Sequence, residues 1–210
     1  MRKILIIIAL IFGFLASASP AGLSASQQKE VIAKINAAAS NLKSMSCSFV
    51  QTKHLSLLSD KMVSKGTMHY KQPNKLNWQY TAPYDYRFIF NGTKVYVGNK
   101  SKKDVIDTNT NKVFREIARI MMNTVTGKAL SNAADFTVSV AANSSNWIVT
   151  LVPKKKEMKS MFAKIELVFT KSNTMISEIN IFEKNNDRTN IKLSNTVNNG
   201  PVKDSYFAIP

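Results

Sequence analysis

The side chains best suited to catalysis or metal binding are few in this sequence and do not form a group. Its 210 residues include one cysteine, Cys47, and two histidines, His54 and His69. A single cysteine cannot form an internal disulfide, and these three residues cannot supply the ligands of a Cys/His zinc site. Because Cys47 alternates with serines in a predicted strand, we interpret it as a small core residue rather than a nucleophile.

Sequence motifs of the common catalytic sites are also absent. The chain has no glycine-rich phosphate loop, no Gly-x-Ser-x-Gly elbow and no His-Glu-x-x-His motif. The two histidines fall in separate predicted strands without an acidic partner at short spacing, and we expect His69 to face solvent. Asp104 and Asp107 lie in a predicted loop among lysines, where carboxylates usually form surface ion pairs. We therefore expect a protein that is not an enzyme and requires no metal or other cofactor.

The chain is strongly basic, with 29 Lys+Arg against 13 Asp+Glu and a formal net charge of +16. Only five of the basic residues are arginines, whereas nucleic-acid recognition favours arginine. The lysines cluster at predicted turns such as Lys154–Lys156, where they also discourage edge-to-edge pairing of strands. We expect a solubilising surface and no nucleic-acid partner. Attraction to anionic membranes or acidic partners is the alternative.

Residues 1–18 are predicted to be a signal peptide. Arg2 and Lys3 precede an apolar run from Ile4 to Leu15, and Ala16-Ser17-Ala18 offers small residues for cleavage. The run is shorter than the roughly 20 apolar residues that span a bilayer, and no cysteine lies near the cut for lipid attachment. We expect cleavage after Ala18, export to the periplasm and a monomeric single domain over residues 19–210, without an extension beyond the segment around Phe207.

Two stretches have helical periodicity, because their apolar residues recur at spacings of three and four. These residues are Val31, Ile32, Ile35, Ala38, Ala39 and Leu42 in the first stretch, and Val113, Phe114, Ile117, Ile120, Met121 and Val125 in the second. Ser24 or Ser26 is expected to cap the first helix, and Gly127 to end the second.

Most of the remaining chain alternates apolar and polar residues and predicts about a dozen antiparallel strands, the last at Ser205–Ile209. Asn91-Gly92 gives the strongest hairpin signal. A twisted sheet of this size curls into a barrel or splits into a sandwich. If the sheet wraps around the helices, it leaves an apolar cavity. The pattern therefore predicts a mainly β fold of about 11–12 antiparallel strands, with the helices covering a strongly bent sheet.

Several short motifs follow one another along nearly the whole chain after the predicted signal peptide. They are Phe49-Val50-Gln51, Gly66 to Pro73, Leu76-Asn77-Trp78-Gln79-Tyr80 with Pro83, Asn91-Gly92, and Phe207 to Pro210. In this order and at these spacings the sequence resembles the outer-membrane lipoprotein carrier family, the LolA-like proteins.

The resemblance implies an unclosed barrel around a hydrophobic cavity, with helices as a lid. It also implies a periplasmic carrier that accepts lipoproteins from an inner-membrane ABC-type transporter, shields their acyl chains and delivers them to an outer-membrane acceptor. Two alternatives stay open: carriage of another amphiphile, such as a glycolipid or an acyl-linked pigment, and a non-catalytic envelope sensor or interaction module on the same fold.

Strand parity and the resemblance together give the candidate site, a set of large apolar residues expected to line the cavity or the lid. They are Ile32, Ile35, Phe49, Met68, Leu76, Trp78, Tyr80, Phe114, Ile117, Met121 and Met122. Ordinary hydrophobic core is the competing interpretation. Where the family has an arginine that latches the lid, this chain has Gln72, which lacks the charge and the forked donor. Either Arg115 or Arg119 then latches the lid, or the lid opens more easily.

Overall fold

The described part of the chain forms a twelve-stranded antiparallel sheet with three helices in a computed structural model, which describes residues 21–57, 60–99, 101–126, 130 and 135–209. The predicted signal peptide lies outside the described residues. In chain order the elements are β1 (Ala21–Gly22), α1 (Ala25–Asn41), β2 (Ser44–His54), β3 (Lys61–Lys71), β4 (Lys75–Ala82), β5 (Tyr86–Asn91), β6 (Lys94–Gly98), β7 (Lys103–Asp107), α2 (Lys112–Thr126), β8 (Phe136–Ala142), β9 (Asn146–Pro153), α3 (Lys156–Met161), β10 (Phe162–Thr170), β11 (Ile176–Glu183) and β12 (Arg188–Asn198).

The strand order is β1-β8-β9-β10-β11-β12-β2-β3-β4-β5-β6-β7, so β1 and β7 are the two edges and do not pair with each other. The mainly β, unclosed antiparallel barrel predicted from the sequence is therefore confirmed. Closure of a barrel would remove the edges. In this fold β1 and β7 remain edge strands, which only side-chain packing of other elements can connect.

Alternation along the strands separates a concave apolar face from a convex polar one. The central strands contribute Met45 and Phe49 from β2, Met68 from β3, and Leu76 and Trp78 from β4, each at most 5% exposed. Their neighbours in sequence point to the other face, because side chains alternate along a strand. These residues belong to one core that continues across β9, β10 and β11.

Helix α1 packs on the concave face. Its first turn is closed by a capping box, in which the Ser24 side chain accepts from the Gln27 N–H and the Gln27 side chain accepts from the Ser24 N–H. Val31, Ile35 and Ala39 form its buried stripe, as the periodicity predicts. The first two of these side chains belong to the same core as the central strands.

The two ends of the sheet differ in which connections they carry. The upper end carries residues 55–57, 60, 83–85, 99, 101–102 and 184–187, and the lower end carries the turns at 72–74, 92–93, 143–145 and 171–175. Strand β7 ends at Asp107 at the lower end, and β8 begins at Phe136 at the upper end, opposite Pro153. Helix α2 therefore lies in the connection that leads from the lower end of the sheet to the upper end.

The expected C-terminal strand at Ser205–Ile209 is wrong. Residues Asp204–Phe207 form a short 3-10 helix, and Phe207 packs on the convex face against Ile89 and Tyr96. The amide groups of Asn77 and Asn91 donate to the carbonyl oxygens of Tyr206 and Phe207. Side chains, rather than a strand ladder, thus hold this segment on the outside of the sheet.

Two further expectations are corrected by local geometry. Asp104 and Asp107 lie in the edge strand β7 and not in a loop. The β5–β6 turn is one residue further along than Asn91-Gly92, because Asn91 still pairs with Lys94. Gly92 is then the first turn residue, with φ 66°, a conformation that suits glycine at this position of a hairpin turn.

Candidate functional site

An aromatic cluster lies at the centre of the concave face. The Phe49 ring stacks on Trp78 with 4.4 Å between centroids and meets Tyr80 edge-on at 5.2 Å. Phe49 pairs across the ladder with Gly66, where a Cβ atom would lie 2.5 Å from the Phe49 Cζ atom. Gly66 therefore makes room for the phenylalanine ring. The sequence motifs that contain Phe49 and Gly66 did not reveal this contact.

Tyr80 connects this cluster to the upper end of the sheet. Its hydroxyl donates to the Gln51 side-chain oxygen at 2.9 Å, and its ring also lines a pocket of about 210 Å³. The other lining residues are Ser64, Ala82, Pro83, Tyr84 and Tyr86. Burial raises the pKa of Tyr80, although its hydrogen bonds partly oppose the rise. The hydroxyl thus remains a protonated donor at the border between core and pocket.

Most of the predicted cavity and lid residues come together in one apolar cluster. Ile35, Phe49, Met68, Leu76, Trp78 and Met122 are buried in it, and Ile32, Tyr80 and Met121 pack against it partly buried. Phe114 is half-buried on α2. The side chain of Ile117 lies outside the described residues, although its backbone belongs to α2.

Helix α2 is tethered by a buried ionic cluster. Arg119 Nη1 lies 2.8 Å from Asp135 Oδ2, and Lys155 Nζ lies 2.8 Å from Asp135 Oδ1. The Asp135 side chain is 2% exposed, whereas those of Arg119 and Lys155 are 30% and 50% exposed. Burial alone would raise the Asp135 pKa, but the hydrogen bonds and positive charges of Lys155 and Arg119 outweigh it, and the pKa is lowered from its usual value.

The cluster joins three elements at the upper end. Arg119 belongs to α2, Asp135 precedes β8 and accepts a backbone hydrogen bond from Lys154, and Lys155 is the N-cap of α3. Sequence reasoning named Arg119 as one candidate latch but missed Asp135 and Lys155. The sequence signal that could have revealed the cluster is the position of Asp135, an acidic residue directly before an apolar strand.

Gln72 lies at the opposite end of the sheet from this cluster. Its N–H donates to the Lys43 carbonyl at 2.8 Å, just beyond the end of α1. Burial raises the pKa of Tyr70, and a side-chain hydrogen bond with Gln72 partly opposes this. The structure therefore places the family's latch position and the Arg119 contact at different ends.

The described residues contain little that suits metal binding or nucleophilic attack. No group of three or more His, Cys, Asp or Glu side chains among them could hold a metal ion. Burial raises the pKa of Cys47 to about 12, so its thiol stays protonated and a poor nucleophile near neutral pH. Within the same part of the chain, no helix has the length and apolar character to cross a membrane.

His69 was expected to face solvent. Its side chain does point to the outer, convex side of the sheet, but it is half-buried there. Its ring stacks on Tyr206 at 3.9 Å and lies 3.0 Å from the Ser46 hydroxyl. Burial lowers its pKa. The C-terminal segment, rather than water, covers this part of the convex face.

Comparison with known proteins agrees with this architecture. A family model described as "Outer membrane lipoprotein carrier protein LolA" matches residues 40–210. An outer-membrane lipoprotein carrier protein of Francisella tularensis subsp. tularensis is 26% identical over 204 residues, covering 93% of this chain and 91% of the relative. A relative of the same description from subsp. novicida has the same identity and coverage.

Two solved structures share the fold at low sequence identity. An uncharacterized conserved protein from Thermus thermophilus has a TM-score of 0.51 at 7% identity, covering 87% of this chain and 93% of that one. MucB in the Pseudomonas aeruginosa MucA/MucB complex has a TM-score of 0.50 at 7% identity, covering 85% of this chain and 61% of that one. The family model spans most of the sequence, and the chain therefore belongs to the LolA family of outer membrane lipoprotein carrier proteins.

Proposed function

We propose that this protein is a non-catalytic periplasmic carrier that holds the acyl chains of lipoproteins between the concave face of the sheet and α2. One observation carries the proposal: the apolar face around Phe49 and Trp78 lies in a sheet whose edges are not joined by hydrogen bonds. A helix that packs through side chains can move away at much lower free energy than a strand in a ladder. The interior can therefore open without unfolding the sheet.

Acyl-chain binding would supply a large free energy. Moving a sixteen-carbon chain from water into an apolar site gains about 12 kcal/mol at most, at about 0.8 kcal/mol for each methylene. The pocket beside Tyr80 has a volume of about 210 Å³, below the roughly 300 Å³ at which ligand pockets usually begin. This pocket by itself is therefore too small for a full acyl chain, and we expect entry of the chain to displace side chains of α2.

The residues best placed to give way belong to α2. Met121 and Met122 contact the same core as Trp78, and methionine adapts to ligands of different shape because its side chain is unbranched and flexible. Loss of these contacts on ligand entry lowers the net affinity. This suits a carrier that must pass its cargo to a tighter acceptor.

The proposed transfer has a defined beginning and end. Residues 1–18 would direct export and be removed, leaving residues 19–210 as one monomeric carrier domain in the periplasm. An inner-membrane ABC-type transporter would load the lipoprotein, and an outer-membrane acceptor would receive it. The names of the relatives support lipoproteins as the cargo. Glycolipids and acyl-linked pigments are the competing amphiphiles.

Titration of the delipidated protein with a fluorescent fatty acid tests the proposal. We expect one saturable site per protein and energy transfer from tryptophan, since Trp78 lies in the binding face. Met121→Glu should weaken binding by about ten-fold or more, because the bound chain would bury a carboxylate. Val105→Glu is the matched control, since Val105 is 51% exposed on the edge strand.

Absence of saturable binding, or equal effects of the two variants, would refute the carrier function. Mass spectrometry of lipids that co-purify from envelope extract identifies the amphiphile. Recovery of lipid-modified peptides would support lipoproteins as the cargo. Recovery of a glycolipid or a pigment would identify that amphiphile as the cargo instead. A ligand recovered chemically unchanged after prolonged incubation agrees with a non-catalytic role.

A further inference from the structure

The upper end of the sheet has an unusual concentration of exposed apolar side chains. Eleven large apolar side chains are exposed in the described part of the protein, and seven of them lie at this end, with exposures of 41% to 94%. The seven are Leu57, Met62, Val63, Tyr84, Tyr86, Val152 and Met161. Single exposed apolar residues are common, but a cluster indicates a surface that contacts another apolar phase.

The segments that carry these residues contact one another at this end of the sheet, and we call their exposed surface the upper rim. The Ser56 N–H donates to Asp187 at 2.8 Å, which joins the β2–β3 hairpin to the β11–β12 turn. The Lys184 N–H donates to the Met161 carbonyl at 3.0 Å, which joins that turn to α3. Ser64 and Tyr84 line the same pocket, which joins β3 to the β4–β5 loop.

Lysines are interspersed among the apolar side chains of the upper rim. Six exposed examples are Lys61, Lys65, Lys102, Lys156, Lys159 and Lys184. Four exposed acidic residues lie at the same end: Asp60, Asp85, Asp104 and Glu157. The rim is therefore positively charged as well as apolar at its tips, and its charge is complementary to a negative surface.

We propose that the upper rim docks directly onto the surface of an anionic phospholipid bilayer. Lysines are attracted to the negative headgroups within a Debye length. Leu57, which is 94% exposed near the tip of its hairpin, inserts below the headgroups. Tyr84 and Tyr86 lie at the headgroup level, where the amphipathic tyrosine ring is favoured.

This orientation has a consequence for the cargo, which rests on the proposed carrier function. The pocket lined by Tyr80 opens at the upper rim, so a docked protein presents it to the lipid. An acyl chain would then leave the concave face for the membrane with a short path through water. Docking itself does not depend on cargo, and the two can be tested apart.

Vesicle flotation tests the docking. The full mature protein is mixed with vesicles of phosphatidylcholine alone or with about one-third phosphatidylglycerol. We expect flotation with the anionic vesicles only, weakened when salt is raised from about 0.05 to about 0.5 M. The triple variant Lys61→Gln, Lys65→Gln, Lys184→Gln should bind about 100-fold more weakly.

A matched variant separates the upper rim from overall charge. Lys43→Gln, Lys94→Gln, Lys203→Gln removes the same three charges from exposed positions away from the rim, and we expect it to bind vesicles almost as well as the unmodified protein. Equal loss in both triple variants would show attraction by net charge alone and overturn the proposal. Flotation that does not depend on phosphatidylglycerol would overturn it too.

A second pair of variants measures how much the apolar side chains of the upper rim contribute to vesicle binding. Leu57→Ser with Met161→Ser should weaken vesicle binding by about ten-fold or more. Val105→Ser with Val197→Ser removes side chains of 51% and 57% exposure elsewhere and should leave binding unchanged. Retention on soluble polyglutamate without vesicle binding would assign the rim to an acidic protein and refute the bilayer.

The fatty-acid titration, run on the same variants without vesicles, keeps the two proposals separate. Every rim residue substituted here is exposed, so we expect unchanged fatty-acid binding and an unchanged melting temperature. Vesicle binding without fatty-acid binding would leave the docking intact and refute the carrier function.

Discussion

Replacing Asp135 by asparagine removes the negative charge at the centre of the ionic cluster that tethers α2. The substitution keeps the size of the side chain and one acceptor oxygen, but Arg119 and Lys155 lose the carboxylate that each contacts at 2.8 Å. The tether is the contact that connects the middle of α2 to the β8 and α3 end of the sheet. Asp135→Asn should therefore loosen α2 more than it disturbs the sheet.

The magnitude follows from the geometry. Charge-assisted hydrogen bonds contribute about 1.5–3 kcal/mol each, and complete rupture of a buried pair costs about 3–5 kcal/mol. Here the two cations are 30% and 50% exposed, so they regain water when the charge is removed. Asparagine also keeps one neutral hydrogen bond. A net loss of about 2 kcal/mol remains, equivalent to a fall in melting temperature of about 4–8 °C.

Ligand uptake distinguishes a tether from a merely structural contact. If the lost contacts stabilise the closed form alone, the open population rises about 30-fold, and stopped-flow uptake of the fluorescent fatty acid accelerates toward that factor. Asp187→Asn is the control, because Asp187 is also buried but accepts hydrogen bonds from Ser56 and Asn185. It should lower stability without faster uptake. Unchanged uptake in Asp135→Asn would refute the tether.

The tether also predicts a pH dependence with a definite sign. The Asp135 pKa is lowered in the folded protein, so its carboxylate stabilises the fold fully above the unfolded value of about 3.9. That contribution is lost as the pH falls through the folded pKa. The stability difference between the unmodified protein and Asp135→Asn should therefore shrink in acid. A difference that persists unchanged at low pH would contradict this assignment of charge.

Three further outcomes test other parts of the structure. Gly66→Ala should destabilise by about 1–3 kcal/mol in urea unfolding, because its Cβ would lie 2.0 Å from the Gln79 carbonyl oxygen; a neutral effect would contradict the cross-strand packing. Cys47, with a pKa of about 12, should react with a thiol reagent at pH near 8 only in denaturant; rapid native labelling would disprove its burial. Phe207→Ala should destabilise by about 3–5 kcal/mol without changing fatty-acid affinity, and an altered affinity would mean that the convex core communicates with the concave face.

The sequence predicts the strands with one buried face well, because their alternation follows from the geometry of a pleated sheet. Trp78 and Phe49 are examples, since each lies on the apolar side that parity assigns to it. Parity does not reveal which apolar residues pack on the opposite, convex face of the sheet. Phe207 has the apolar neighbours of a strand residue, yet it fills a second core on the convex side.

Charged elements were harder to predict. Strand β7 carries Asp104 and Asp107, and charges at an edge strand look like a loop in a single sequence. The partners of Asp135 come from two other elements, so only the fold brings the three side chains together. Arg119 could be named, together with Arg115, because it lies in the predicted lid helix, whereas its carboxylate partner could not be selected from the other acidic residues.

The open sheet and the tether together limit how tightly a carrier of this design can hold its cargo. Closing the barrel with a twelfth pair of strands would fix the two edges to each other by a ladder of backbone hydrogen bonds. Here the edges β1 and β7 stay unpaired with each other, and α2 covers the interior through side chains such as Met122 and through the contact with Asp135. Each acyl chain that enters gains apolar burial of about 12 kcal/mol at most, less the contacts it displaces. In the proposed carrier, the contacts that α2 gives up offset part of this gain, and substitutions of α2 side chains such as Met122 should therefore change ligand retention.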